Sequence, residues 1–316
     1  MLVPSRPVCQ TTQLHLPATP RRPNPLAMKQ VAFLASPVTM PGSPVRRADS
    51  FEHDSQVAAL RGPLAARGME LVEVSWDADE DWSRFSAAVI GTTWDYWNRE
   101  TEFIETLARI EAATSLFNPV SLVNWNRRKT YLRELEAAGA RLIPTVWVDD
   151  PQPDAVCAAF ETLGTDDLVI KRQVGAGADG QHRLKRGEAL PDLCRPMMAQ
   201  PFLPSVQTEG EFSFIFIGGA LSHALRKRPK PGDYRIQSLY GGYEEDVSPG
   251  ADDVAAARAV ITALGEPPLY GRVDMVRGNA GELLLMELEL IEPYLYPRNG
   301  PKLGELFAGE LVRRLG

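Results

Sequence analysis

"LLLMELELIEP", residues 283–293, decides how the rest of the chain is read. Residues 283–285 are wholly apolar, as in a strand entering a core. Successive side chains of an extended chain point to opposite faces, so Met286, Leu288 and Leu290 are expected on one face and Glu287 and Glu289 on the other. Like charges held side by side raise at least one pKa unless a positive charge lies between them. The ordinary alternative is an ion-pair face, with Asp274 and Glu287 meeting Arg272 or Arg298 across neighbouring strands. Glu292 lies beyond the regular alternation and is assigned no role.

Upstream, "GRVDMVRG" (271–278) reads as the partner strand, turning at residues 279–281. Before it, "GEFSFIFIGGALSHALRKRP" (210–229) alternates, with Phe212, Phe214 and Phe216 on one face and Glu211, Ser213, Ile215 and Ile217 on the other. Gly218 and Gly219 form the turn, and the returning strand ends in Arg226, Lys227 and Arg228. Residues 229–250 read as one long loop, which in a compact domain is usually a functional lid or disordered. Helices are expected over 252–264 and 302–315.

"DLVIKRQVGAGADGQHRLKR" (167–186) is a strand, a Gly-rich turn and a returning strand. Gly175, Gly177 and Gly180 let backbone amides curl toward one anion, with Lys171 just before the turn. A plain hairpin with a flexible turn is the more frequent explanation of such a loop. "NWNRRKTYLRELEAAGARLIPTVWV" (124–148) predicts a helix over 127–138, stopped by Gly139 and followed by extended chain. Lys129 then lies in the first turn, where the helix dipole disfavours a cation unless an anion is near.

From residue 29 to about 123, strands ("KQVAFLAS", "MELVEVSW", "AAVIGTT") alternate with helices over 55–67 and 99–113. This α/β pattern predicts a parallel sheet covered on both faces, with functional loops beyond the carboxyl ends of its strands. Residues 36–50 and "TTWDYWNRE" (92–100) are such loops. Trp94, Asp95, Tyr96 and Trp97 suit either a substrate pocket or an aromatic anchor.

The whole chain of 316 residues, 44% hydrophobic and 24% charged, suits two or three domains. Its net charge of -7 argues against nonspecific nucleic-acid binding. No apolar run is long enough to span a bilayer. Cys9, Cys157 and Cys194 form neither a disulfide framework nor a zinc pattern, so a cytoplasmic location is expected. His53, His182 and His223 are scattered. Ser222 beside His223 is no triad, since neighbours on a strand point apart. Residues 1–27, rich in proline and free of acids, are expected to be a disordered extension.

Taken in order, a lysine on a helix, a lysine before a Gly-rich turn, a Gln-x-x-Leu segment, a basic strand and loop, then Asp and Glu-x-Glu resemble the ATP-grasp superfamily of carboxylate-amine ligases. The chain is similar to the glutathione-synthetase-like branch and, within it, to cycloserine-biosynthesis-type ligases. The resemblance implies an ATP-grasp fold, α+β in the C-terminal half, behind an N-terminal Rossmann-like domain. It divides the chain at 28–123, 124–203 and 204–316.

It further implies that Lys129 and Lys171 hold ATP phosphates under the turn through Gly175 and Gly177. Gln200 and Leu203 flank adenine, and Glu211 takes the ribose hydroxyls. Asp274, Glu287 and Glu289 bind magnesium, with manganese an acceptable substitute. Arg228 and Arg235 spread charge at the reacting group, beneath a lid over 229–242. The partners implied are ATP and a small amino-acid-like carboxylate, in a chain that tolerates a homodimer. A ligase acting on a peptide or protein terminus and a non-catalytic ATP-binding module are the alternatives. Many members carry Asn where Glu289 stands, and residues that would recognise glutathione precursors are not identifiable.

Overall fold

A computed structural model describes residues 28–175, 180–236 and 241–316. Strand β1 (Lys29–Ala35), helix α1 (Phe51–Ala65), β2 (Met69–Ser75), β3 (Ala87–Thr92), α2 (Glu100–Ala113) and β4 (Ser115–Phe117) follow one another. The four strands form a parallel sheet in the order β2-β1-β3-β4. β1 is buried on both faces: Val31 and Phe33 pack with Leu60 and Leu64 of α1, Ala32 and Leu34 with Phe103 and Leu107 of α2. That explains why its sequence is continuously apolar. Gly91 is required here, because a Cβ would lie 2.2 Å from the Phe33 ring. The chain leaves β1 toward β2 on one side and resumes at β3 on the other, so the loops after β1 and β3 diverge at a topological switch point.

Next come α3 (Val120–Asn126), α4 (Tyr131–Ala137), β5 (Val146–Val148), α5 (Pro153–Leu163), β6 (Asp167–Arg172), β7 (His182–Lys185) and β8 (Met197–Pro201). The single helix expected over 127–138 is corrected to two short helices with Lys129 in the turn between them. Tertiary bonds break it. Asn126 donates to the Leu288 carbonyl (2.9 Å) and accepts from the Leu290 amide (3.0 Å), while the Tyr131 hydroxyl bonds the Leu288 backbone. The Lys129 amide is drawn to the Gln173 carbonyl at 2.8 Å. Helix α5, which the sequence reading missed, starts at Pro153 and is closed by Gly164 with φ 59°. β5, β8, β6 and β7 form an antiparallel sheet in that order.

The remaining elements are α6 (Ser205–Thr208), β9 (Glu211–Ile217), β10 (Ala220–Arg228), β11 (Tyr243–Asp246), α7 (Ala251–Thr262), β12 (Tyr270–Arg277), β13 (Leu283–Glu289) and α8 (Leu303–Leu315). Their strands form a second antiparallel sheet, β11-β10-β9-β12-β13. β11 corrects the reading of 229–250 as unbroken loop: Arg228 pairs in register with Tyr243, and Leu225 with Asp246. Phe212, Phe214 and Phe216 share one core with Leu132 and Leu135 of α4 and Val260 of α7. Ile215 and Ile217, on the opposite face, pack with Phe307 and Leu311 of α8.

Two irregularities in this sheet set its chemistry. β10 pairs with β9 from Ala220↔Ile217 and Leu221↔Phe216, then slips by one residue at Ser222, so that Lys227 stands opposite Glu211. β12 pairs Asp274 with Glu287 and Met275 with Leu285, leaving Met286 as the extra residue. An inserted residue reverses the faces beyond it. Hence Leu283 and Leu285 lie in the same core as Leu288 and Leu290. Met286 instead lines a cavity together with Glu287 and Glu289, which corrects its expected place on the face of Leu288. Among the described residues, no helix is long and apolar enough to cross a membrane.

Candidate active site

A cavity of about 230 Å³ is lined from both antiparallel sheets and from the loops after β1 and β3. One end is apolar, with Ile143, Val169, Phe202, Leu203, Val276 and Met286; Gln200 supplies an amide held by the Thr145 hydroxyl at 3.0 Å. The middle carries charge of both signs. Lys171 enters from β6, Glu211 from β9, Lys227 from β10, Arg272 and Asp274 from β12, and Glu287 and Glu289 from β13. The other end lies against the loops after β1 and β3, where Arg47, Trp94, Trp97 and Glu292 line it.

Each carboxylate in the middle has a cation. Lys129 Nζ sits 2.8 Å from Glu287 and donates to the Gly175 carbonyl at 2.7 Å. Gly175 has φ 150°, which favours glycine. Arg272 pairs with Asp274 at 2.9 Å and with Glu289. Lys227 pairs with Glu211 and lies 3.3 Å from Asp274, which also accepts from the Ser213 hydroxyl. Of the expected ion pairs, Asp274 meets Arg272, from its own strand, while Glu287 meets Lys129 rather than Arg272 or Arg298.

Burial governs the titration of these groups. It pushes the carboxyl of Glu289 up to about 7, with Glu287 and Asp274 adding repulsion and Arg272 opposing it. Glu211 is likewise raised to about 7 by burial, against the pull of Lys227. Burial lowers Lys171, with Lys129 adding repulsion and Glu287 opposing. The expected raised carboxyl is present in this strand. Loss of water, rather than repulsion between Glu287 and Glu289, is its first cause.

Of the residues singled out from sequence, Lys129, Lys171, Gly175, Gln200, Leu203, Glu211, Arg235, Asp274, Glu287 and Glu289 all line this one cavity. Gly177 lies outside the described residues, as does part of the stretch read as a lid. Arg228 does not line the cavity: it pairs with Glu245 at 2.8 Å and donates to the Thr208 carbonyl. Its neighbour Lys227 takes the cavity face because of the slip at Ser222.

The aromatic loop divides between its two readings. Trp94 and Trp97 line the cavity, whereas Tyr96 is buried against Phe103 with ring centroids 4.9 Å apart and Asp95 accepts from the Trp76 indole at 2.8 Å. The sequence reading missed Lys227, Arg272 as a cavity residue, and Arg47. Only pairing register could have exposed Lys227; for Arg272, alternation with Asp274 on the same strand was signal enough. Ser222 and His223 do meet, at 3.0 Å, because the bulge cancels the alternation there. Neither lines the cavity. His53 is fully buried between Thr92 (2.6 Å) and Glu73 (2.9 Å).

The donor chemistry of Glu287 and Glu289 suits magnesium, which takes carboxylate and phosphate oxygens. Both are partly exposed, with side-chain accessibilities of 27% and 28%, whereas Asp274 is buried and occupied by Arg272, Lys227 and Ser213. Among the described residues no three acidic, His or Cys side chains are grouped as a ready metal cluster. The set fits a metal that arrives with its own phosphate ligands.

Comparison with known proteins gives a consistent result. Residues 31–118 match the family described as the N-terminal domain of D-cycloserine synthetase DcsG. The cycloserine biosynthesis protein DcsG of Streptomyces lavendulae is 33% identical over 239 residues, covering 69% of this chain and 80% of that protein. The crystal structure of D-cycloserine synthetase DcsG superposes with a TM-score of 0.76 at 27% identity, covering 91% of this chain and all of that one. The ATP-grasp ligase PsnB, solved with a minimal precursor, shares the fold at TM-score 0.61 and 17% identity, covering 91% of this chain and 99% of its own. The chain therefore belongs to the DcsG family of ATP-grasp ligases and is an ADP-forming carbon–nitrogen ligase.

Proposed function

We propose that the cavity binds ATP with magnesium and a small amino-acid-like carboxylate, and joins that carboxylate to an amine through an acylphosphate. One observation carries the reading: an apolar slot, four cations (Lys129, Lys171, Lys227 and Arg272) and the Glu287–Glu289 pair all line a single cavity. Adenine occupies the slot between Gln200 and Leu203, and Glu211 takes the ribose hydroxyls. Lys129 and Lys171 hold phosphate oxygens beside the turn at Gly175. Magnesium, held by Glu287 and Glu289 with Asp274 behind them, would neutralise charge on the phosphates.

A carboxylate is a poor electrophile and must be activated. Its oxygen attacks the γ-phosphorus, the bond to ADP breaks, and an acylphosphate forms. The amine nitrogen then attacks the carbonyl carbon, the carbon–oxygen bond to phosphate breaks, and the nitrogen gives up a proton. The protein's part is to position the reactants and stabilise developing charge. Lys227 and Arg272 suit that task in the place expected of Arg228, with Arg235 at the cavity wall.

The test is magnesium-dependent ADP release against a panel of amino acids, O-substituted serines and dipeptides, with Lys171→Ala and Glu287→Ala as controls. Stimulation by one small carboxylate, lost in both variants, is the expected outcome. Wild-type protein that binds ATP yet releases no more ADP than the variants with any carboxylate would defeat the reading.

A further inference from the structure

The cavity end beside the parallel sheet is left over once nucleotide and metal are placed. Glu292 stands there, and its carboxyl differs from the others. Among the described residues it forms no ion pair, whereas Asp49, Glu211, Asp274, Glu287 and Glu289 each pair with a cation. Its backbone is nevertheless anchored. The Trp94 indole donates to its carbonyl at 3.0 Å, and the preceding Ile291 carbonyl accepts from the Tyr270 hydroxyl at 2.9 Å.

Two indoles, Trp94 and Trp97, line the same end. Aromatic faces attract cations. Arg47 lies 5.6 Å from the Trp94 ring centre and pairs with Asp49 at 2.6 Å. Burial, with Glu289 and Glu287 adding repulsion and Lys129 opposing it, holds the Glu292 carboxyl well above its ordinary range. A carboxyl with no ion-pair partner among the described residues, on an anchored backbone and lining the same cavity as two indoles, suits a positively charged group.

We infer that Glu292 is a specificity-determining residue that receives the ammonium group of the substrate. The orientation rests on the ligase reading above: the substrate carboxylate points toward Lys171 and Arg272, and its ammonium toward Glu292. Binding at Glu292 does not depend on turnover.

Calorimetric titration tests it, using protein loaded with magnesium and a non-hydrolysable ATP analogue. The probes are D- and L-O-methylserine and 3-methoxypropanoate, the same skeleton without the ammonium. Wild type should favour at least one O-methylserine by roughly 10- to 100-fold, the worth of a charge-assisted hydrogen bond. Glu292→Gln should erase that preference, Glu292→Asp should restore part of it, and both should bind the nucleotide analogue as wild type does. The inference fails if wild type shows no preference for the amino acid, or if Glu292→Gln keeps it. Discrimination without ADP release would support Glu292 and count against the ligase reading alone.

Discussion

The two faces of the sheet β11-β10-β9-β12-β13 are built by the same strands and do opposite things. One face carries Phe212, Phe214, Phe216, Val273 and Leu288, all buried against α4 and α7. The other carries Glu211, Lys227, Arg272, Asp274, Glu287 and Glu289 along the cavity. Removing apolar surface from water stabilises the fold by about 25 cal/mol per Å². Buried ion pairs return little, because desolvation offsets their attraction. The apolar face therefore accounts for stability; the other face adds Ile215 and Ile217 against α8, while its charged stretch serves chemistry that tolerates a stability cost.

The comparison breaks most visibly on the charged face. Lys171→Ala or Glu287→Ala should lower ADP release by roughly 10³-fold or more, since preorganised charge is the main catalytic term, while the melting temperature stays near that of wild type. Phe214→Ala, on the opposite face, should cost about 3–5 kcal/mol in urea unfolding, as large-to-small core changes do. A loss there below about 1 kcal/mol would mean that this face is not a close-packed core.

The bulge at Ser222 gives a finer contrast. Lys227→Met should reduce ADP release about 100-fold and Arg228→Met by no more than a few-fold, because only a group facing the reacting centre stabilises it. Equal losses would show that the slipped register does not decide which cation serves the site.

The smallest effect concerns His223 beside the same bulge. Burial lowers its pKa to about 4, below the ordinary value near 6.5. The unfolded chain then binds more protons between those values, so this contribution to stability is full above about pH 6.5 and is lost as pH falls toward 4. Wild type should lose on the order of 2 kcal/mol across that window, allowing for partial exposure. His223→Gln should flatten the slope when unfolding is measured at several pH values.

Much of this architecture was legible because strands and helices impose periods on the side chains they bury. The alternation of Phe212, Phe214 and Phe216 with Ser213, Ile215 and Ile217 was legible because each set meets a different core. The unbroken apolar run of β1 was legible because both its faces are covered. Helix α5 and strand β11 were missed, and the break between α3 and α4 was hidden, because bonds from Asn126 and Tyr131 to β13 override local helix preference. The middle of the site was legible as an ordered set of residue types. At the far end the loops over 36–50 and 92–100 were legible as functional, but the meeting of Arg47, Trp94, Trp97 and Glu292 was not, since only the folded chain brings them together.

By itself the sequence determined which residue types are present, their order, and the period of each strand, and these follow from local backbone geometry. Only the tertiary structure decided which face several of them take. One extra residue at Ser222 puts Lys227, not Arg228, on the cavity side, and one at Met286 moves it out of the core face. The physical reason is that strand alternation has a period of two, so a single inserted residue reverses every side chain beyond it, and where a strand slips depends on its partners.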